Sequence, residues 1–249
     1  MKLEYPKVRS EEDTLARVLG GASIARYGDG EFKIAAGNGC VSQIPDKNLT
    51  AELRDILVRD NSRCIVGIPR LDVRSPKIEN WRKYEQKYPR FLSRGVEYYS
   101  AFITRPDSAP WIYTAAFYEK IESLWREEPV ILVSGSDRSL TSEFLYAHGA
   151  RTVYHVKCAR RDAYAEIDKL MEDILSINVK RVILCCGPTA TCLAWRLSLA
   201  GKHAIDLGHV GMFWFNGEEK PKWMKSRSEK NLDSGGLTTS KPTNSSTTC

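Results

Sequence analysis

Short apolar runs alternate with helical stripes through the second half of the chain. Val130-Ile131-Leu132-Val133, Thr152 to Val156, Arg181 to Cys186 and His203 to Leu207 read as strands. Between them, residues 162–177 place Ile167, Leu170, Met171, Ile174 and Leu175 on one helical face. A further helix runs from Gly187-Pro188-Thr189 to Ala200, and Gly201 closes it. The first half follows the same grammar less regularly. Ser10-Glu11-Glu12-Asp13 has the form of a capping box and opens a helix that ends at Gly20-Gly21. A strand through Ile24 follows. Residues 46–59 carry Leu49, Leu53, Ile56 and Leu57 at helical spacing behind an Asp46 cap, and Cys64 to Ile68 is a buried strand stopped by Pro69.

Strands alternating with helices at this spacing predict an α/β fold: a mostly parallel sheet with helices on both faces. Residues from about 70 to 110 break the rhythm with arginines and aromatics and read as a helical insertion. Trp81, Tyr84, Tyr88, Phe91, Tyr98, Tyr99 and Phe102 would lie mainly in its core. The expected organisation is one domain over residues 1–225. A Ser/Thr-rich tail at 226–249 lacks apolar periodicity and is expected to be disordered.

Composition narrows the function classes. With 249 residues and 42% hydrophobic content the chain can bury a core, and 37 basic against 31 acidic residues leave only +6. Nucleic-acid binders carry a denser basic excess, so anionic small substrates account for the charge equally well. No apolar run approaches the ~20 residues of a transmembrane helix. The seven cysteines contain no Cys-x-x-Cys pair, and the expectation is a reduced, cytoplasmic protein without structural disulfides or zinc.

Candidate chemistry gathers at predicted loops beyond the carboxyl ends of strands, where parallel sheets bind ligands. Arg26-Tyr27-Gly28-Asp29-Gly30-Glu31-Phe32 sets two carboxylates about a glycine. In an extended turn Asp29 and Glu31 would face one point and suit Mg²⁺ or Mn²⁺, with Gly28 and Gly30 allowing close approach. Arg26 suits either a phosphate or the fixing of a carboxylate. Ser134-Gly135-Ser136 offers hydroxyls for a diphosphate or ribose. Gly187-Pro188-Thr189 opens a helix whose amides attract phosphate, with Thr189 as N-cap the plainer reading. Arg105, Lys157, Arg160 and Arg161 are candidate diphosphate partners, and His209 a metal ligand, base or phosphate contact.

Taken together, Arg26 to Phe32, Thr104-Arg105-Pro106, Gly187-Pro188-Thr189-Ala190 and Ala204-Ile205-Asp206-Leu207-Gly208-His209 resemble the GT-D-type glycosyltransferases, over roughly residues 10–215. The resemblance implies a Rossmann-like domain with an Asp-x-Glu motif in which Asp29 and Glu31 hold Mn²⁺ or Mg²⁺. It implies a nucleotide-sugar donor, UDP-glucose foremost; the acceptor is left open among a glycan, a glycoprotein, a lipid-linked sugar and even nucleic acid. Arg26, Gly28, Gly30, Arg105, Ser134, Gly135, Ser136, Gly187, Pro188 and Thr189 are the expected donor-site residues. Asp29, Glu31 and His209 are the expected catalytic ones, with Glu31, Asp137 and His209 as candidate bases. Two rival readings are a Mg²⁺-dependent hydrolase of nucleotide sugars and a non-catalytic module that binds nucleotides or nucleic acid through Lys220 to Lys225. Homo-oligomerisation is left open.

Overall fold

The structure is a computed structural model and describes residues 4–72, 78, 81, 82, 85, 87–106, 108, 109, 114–135 and 140–212. The strands are β1 (Ser23–Arg26), β2 (Cys64–Ile68), β3 (Tyr98–Ser100), β4 (Pro129–Ser134), β5 (Thr152–Lys157), β6 (Arg181–Cys185) and β7 (His203–Asp206). Residues of β2 and β7 are buried throughout, and those of β4 from Val130 onward. Such runs require cover on both faces, which parallel sheets obtain from their crossover helices. Among the described residues one seven-stranded sheet forms, in the order β3-β2-β1-β7-β6-β4-β5. Every pairing is parallel. All the strands therefore present their carboxyl ends to one edge.

The helices are α1 (Glu11–Leu19), α2 (Asp29–Ala35), α3 (Lys47–Val58), α4 (Ala115–Glu122), α5 (Ser142–Ala147), α6 (Ile167–Ser176) and α7 (Pro188–Leu199). Their starts follow the expected chemistry. The Ser10 hydroxyl accepts from Asp13 N at 3.0 Å, and the Asp46 carboxylate accepts from Leu49 N at 2.8 Å. Caps of this kind contribute about 1 kcal/mol each. Leu49, Leu53, Ile56 and Leu57 form the buried stripe of α3. The middle of α7 is buried on nearly every side, because it packs on β1 and β7 beneath α3.

The structure corrects two expectations. Within residues 70–110, the described residues are not simply helical. They form 3-10 turns at Pro89–Phe91 and Ala101–Thr104, and Tyr98–Ser100 is the strand β3 that extends the sheet beyond β2. Aromatics favour a pleated, half-buried surface, and Tyr98 also bonds through its hydroxyl to Leu57 O at 2.6 Å. Trp81, Tyr88 and Phe102 are buried, as expected of the core. The second correction concerns α2, which begins where an extended turn was expected. Gly28 is its N-cap, and the Glu31 side chain reaches back to accept from Gly28 N at 2.7 Å. That is a capping box, and two acidic residues in a first turn also suit the helix dipole. The segment 226–249, the basic run Lys220 to Lys225, and Ser136 and Asp137 lie outside the described residues.

Candidate active site

A cleft of about 220 Å³ opens at the carboxyl edge of the sheet, over β1 and β7. The loop from β1 into α2 supplies Arg26 to Glu31, and the turn after α2 supplies Cys40, Val41 and Ser42. The turn after β3 adds Thr104 and Arg105 beside Trp81. The start of α7 adds Gly187 and Pro188, and the loop after β7 adds Asp206, Gly208 and His209. Residues spread across 180 positions meet here because each follows the end of a parallel strand or helix pair. Of the expected site residues, Arg26, Gly28, Asp29, Gly30, Glu31, Arg105, Gly187, Pro188 and His209 are brought together.

Arg26 does the second of its two expected jobs. Its Nη2 lies 3.3 Å from Asp206 Oδ1, and its backbone N donates to Asp206 Oδ2 at 3.3 Å. Nη1 donates to Ala101 O at 3.1 Å and to the Thr104 hydroxyl. The two side chains are only 10% and 6% exposed, so the pair is an internal strut between β1, β7 and the Ala101–Thr104 turn. Thr191 of α7 donates to Arg26 O at 2.9 Å and anchors the same residue from below. Gly208 completes the fit: at φ 53° a Cβ would sit 2.4 Å from Arg26 Nη2.

The two carboxylates of the motif do not project to one side. Residues two apart on a helix point about 200° away from each other. Asp29 is half-exposed and pairs with Lys33 at 3.0 Å, whereas Glu31 turns inward onto its cap. Burial, and then the charges of Asp206 and Asp29, push the Glu31 pKa up to about 7. Asp206 is also pushed up by burial, against the opposing pull of Arg26. Asp29, Glu31 and Asp206 thus crowd negative charge into one cleft, a situation a divalent cation would relieve. No group of three or more His, Cys, Asp or Glu gathers closely enough for a metal among the described residues. Mg²⁺ is usually held by one or two carboxylates completed by water and substrate phosphate, so the half-exposed Asp29, with Glu31 and Asp206 lining the same cleft, fits such an ion.

Glu31 and the buried His203 have opposite effects on stability. His203 donates from Nε2 to Ala22 O at 3.1 Å, and burial pushes its pKa down from 6.5 to about 4. Its folded value is the lower one, so it withdraws stability as the pH falls from 6.5 to 4. Glu31 has a folded value of about 7 against 4.5, so it withdraws stability as the pH rises from 4.5 to 7. In metal-free wild-type protein the two slopes oppose each other. Glu31→Gln is therefore expected to gain about 3 kcal/mol over wild type at pH 8 and almost nothing at pH 4.5. His203→Gln shows its gain only on the acid side. Urea unfolding at pH 4.5, 6 and 8 with a chelator present checks both, and equal differences at all three would refute the assignment.

Other expected residues lie elsewhere. Ser134 ends β4, two strands beyond β7, and its hydroxyl bonds to His155 Nε2 at 2.9 Å. Neither Ser134 nor Gly135 lines the cleft. Thr189 is not the N-cap: Gly187 takes that place, and Thr189 lies fully buried with its hydroxyl unpartnered. Lys157 ends the outer strand β5 and Arg160 and Arg161 follow it, and none of the three lines the cleft. Asp206 was the site residue missed, although a charged residue ending the apolar strand His203 to Leu207 was a usable signal. Trp81, which lies under the Arg105 guanidinium at 5.4 Å, and the turn at Cys40–Gln43 carried no comparable mark.

A parallel sheet with a carboxylate-lined cleft beyond its strand ends places the chain among the α/β proteins that bind ligands at that edge. Comparison with known proteins narrows this. The chain belongs to the glycosyltransferase family of the GT-D fold, whose model matches residues 24–230. It is 30% identical over 208 residues to a probable glycosyl transferase Gly of Streptococcus gordonii, covering 76% of this chain and 30% of that protein. It is 27% identical over 237 residues to the glycosyltransferase GlyD of Streptococcus pneumoniae serotype 4, covering 90% and 28%. The chain thus spans less than a third of the length of these relatives. A solved structure described as a new glycosyltransferase (DUF1792) from Streptococcus sanguinis superposes with a TM-score of 0.74 at 26% identity, over 90% of this chain and 86% of that one. A second, described as domain of unknown function 1792 with a distinct glycosyltransferase fold, gives 0.74 at 24% identity, over 89% and 82%. No helix among the described residues is long and apolar enough to cross a membrane.

Proposed function

We propose that this chain transfers a hexose from a nucleoside-diphosphate sugar, UDP-glucose being the favoured donor, to a hydroxyl of a glycan, glycoprotein or lipid-linked acceptor. The observation that carries the reading is that Asp29 and Glu31 line the same cleft as Gly187, Pro188 and His209. Asp29 and Glu31 would hold Mn²⁺ or Mg²⁺, and the ion would supply positive charge against the leaving diphosphate. The α7 N-terminus at Gly187 offers backbone amides for a phosphate, and Arg105 offers a guanidinium that lies 5.4 Å from the centre of the Trp81 ring. In the transfer, the acceptor oxygen loses its proton and bonds to the anomeric carbon as the bond to the diphosphate breaks. Glu31 is committed to its helix cap and would be committed to the cation as well, so the exposed His209 is the better placed proton acceptor.

A thermal-shift series with nucleoside diphosphates, with and without Mn²⁺, tests the donor class. UDP with Mn²⁺ is expected to raise the Tm by several degrees, since a ligand of the folded state stabilises by mass action. Arg105→Ala is expected to weaken UDP affinity about 10-fold, the loss of one charge-assisted contact, while the unliganded Tm changes little. If no nucleoside diphosphate shifts the Tm under any metal condition, the donor assignment is wrong.

A further inference from the structure

The turn from Cys40 to Ile44 forms one wall of the cleft and is held in place from outside. Cys40 N donates to Gln43 O at 2.8 Å, and Gln43 N donates to Cys40 O at 3.3 Å. Asp162, in the loop after β5, accepts from Ile44 N at 2.6 Å and gives its own backbone N–H to Ser42 O at 2.9 Å. It does so at φ 57°, a left-handed conformation that Asp tolerates better than most residues. The turn spans two parts of the site. A Cβ on Gly30, between Asp29 and Glu31, would lie 3.6 Å from Cys40 Sγ. A Cβ on Gly187, at the start of α7, would lie 3.2 Å from Ser42 Oγ, and φ 61° there also favours glycine. The Ser42 hydroxyl therefore stands beside the start of α7, on the wall that runs from there to the carboxylate turn.

Most polar side chains around the cleft are already engaged. The Tyr27 hydroxyl donates to Leu53 O at 2.8 Å, Trp81 Nε1 to the Ser108 hydroxyl at 3.2 Å, and Lys33 Nζ to Asp29 at 3.0 Å. Arg26 is spent on Asp206, Ala101 O and Thr104. Half-buried Ser42 differs: its hydroxyl has the Cys40 thiol at 3.5 Å, and sulfur is a weak partner. We propose that Ser42 is a donor-binding residue, its hydroxyl donating to the terminal phosphate of the nucleoside diphosphate, and that Asp162 is the residue that positions it. The inference rests on the donor reading above. In that reading the terminal phosphate carries the bond that breaks, and it lies between the ion at the carboxylate turn and the start of α7. Ser42 occupies the wall between those two. A hydroxyl fixed through its own backbone reaches a phosphate oxygen without the entropy cost of ordering a loose loop.

Titration calorimetry on the full 249-residue chain, with Mn²⁺ present and UDP or UMP as ligand, tests both roles. Ser42→Ala is expected to weaken UDP about 10-fold, the scale of one hydrogen bond to a charged group, and to change UMP less than about 2-fold. Asp162→Gly keeps the backbone conformation and removes the carboxylate, so it should lose UDP affinity in the same selective way. Asp162→Asn keeps an acceptor for Ile44 N and should bind UDP as wild type does. Unchanged UDP affinity in Ser42→Ala, or equal losses for UDP and UMP, overturns the Ser42 assignment while the donor reading stands. Wild-type affinity in Asp162→Gly overturns the positioning role. If wild-type protein binds no nucleoside diphosphate, the donor reading itself fails and the Ser42 contact falls with it.

Discussion

Asp29→Ala is expected to lower kcat for sugar transfer by at least about 100-fold, the scale set by removing one preorganised charge from a transition state. The same change should leave the fold almost untouched. The partner of Asp29 is the i,i+4 lysine Lys33, with the two side chains 50% and 47% exposed. Surface pairs of this kind are worth about 0.5 kcal/mol, and losing a first-turn charge costs a similar amount. The Tm should therefore fall by no more than about 4 °C. Activity and stability separate at this position because Asp29 lines the cleft, is half-exposed and has a surface lysine as its ion-pair partner. Steady-state release of the nucleoside diphosphate, measured beside a melting curve, decides the matter. Wild-type turnover in Asp29→Ala would remove the basis of the proposed function. A large fall in Tm would instead mean that the carboxylate is structural.

The contrast with Glu31 shows what could and could not be read in the sequence. The Gly-Asp-Gly-Glu run marked a loop that lines the cleft, because two carboxylates and two glycines after an apolar strand are visible as letters. Its local shape was misjudged. The letters that suit an extended turn also suit a helix cap, and Glu31 at the third helical position closes the box on Gly28. The strands and the Leu49–Leu57 stripe were legible because their periods are local. Tyr98–Ser100 was not: three residues have no period, and they become β3 only through pairing with Val66, Gly67 and Ile68. The same limit applies to Arg26. Its chemistry allowed phosphate or carboxylate, and only the 180-residue closure of β1 on β7 puts Asp206 beside it.

That buried pair is expected to give the largest stability effect in the molecule. Arg26→Ala strips Asp206 of its countercharge inside the protein, and breaking a buried pair from one side costs about 3–5 kcal/mol. The effect has a pH signature. Burial already raises the Asp206 pKa and Arg26 opposes it, so without Arg26 the folded value rises further. A carboxyl whose folded pKa exceeds its unfolded value of 3.8 loses stability as the pH climbs through the folded value. Arg26→Ala should therefore be much less stable at pH 8 than at pH 5, and the deficit against wild type should widen over that range. Removing the stranded carboxylate as well, in Arg26→Ala with Asp206→Asn, should recover part of the loss at pH 8 and little at pH 5. Recovery stays incomplete, because the bonds from Arg26 to Ala101 O and the Thr104 hydroxyl do not involve Asp206. Urea unfolding of wild type, both single variants and the double variant gives the coupling directly. If Arg26→Ala costs under about 1 kcal/mol, or its cost is the same at both pH values, the strut between β1 and β7 is not what holds this edge of the cleft together.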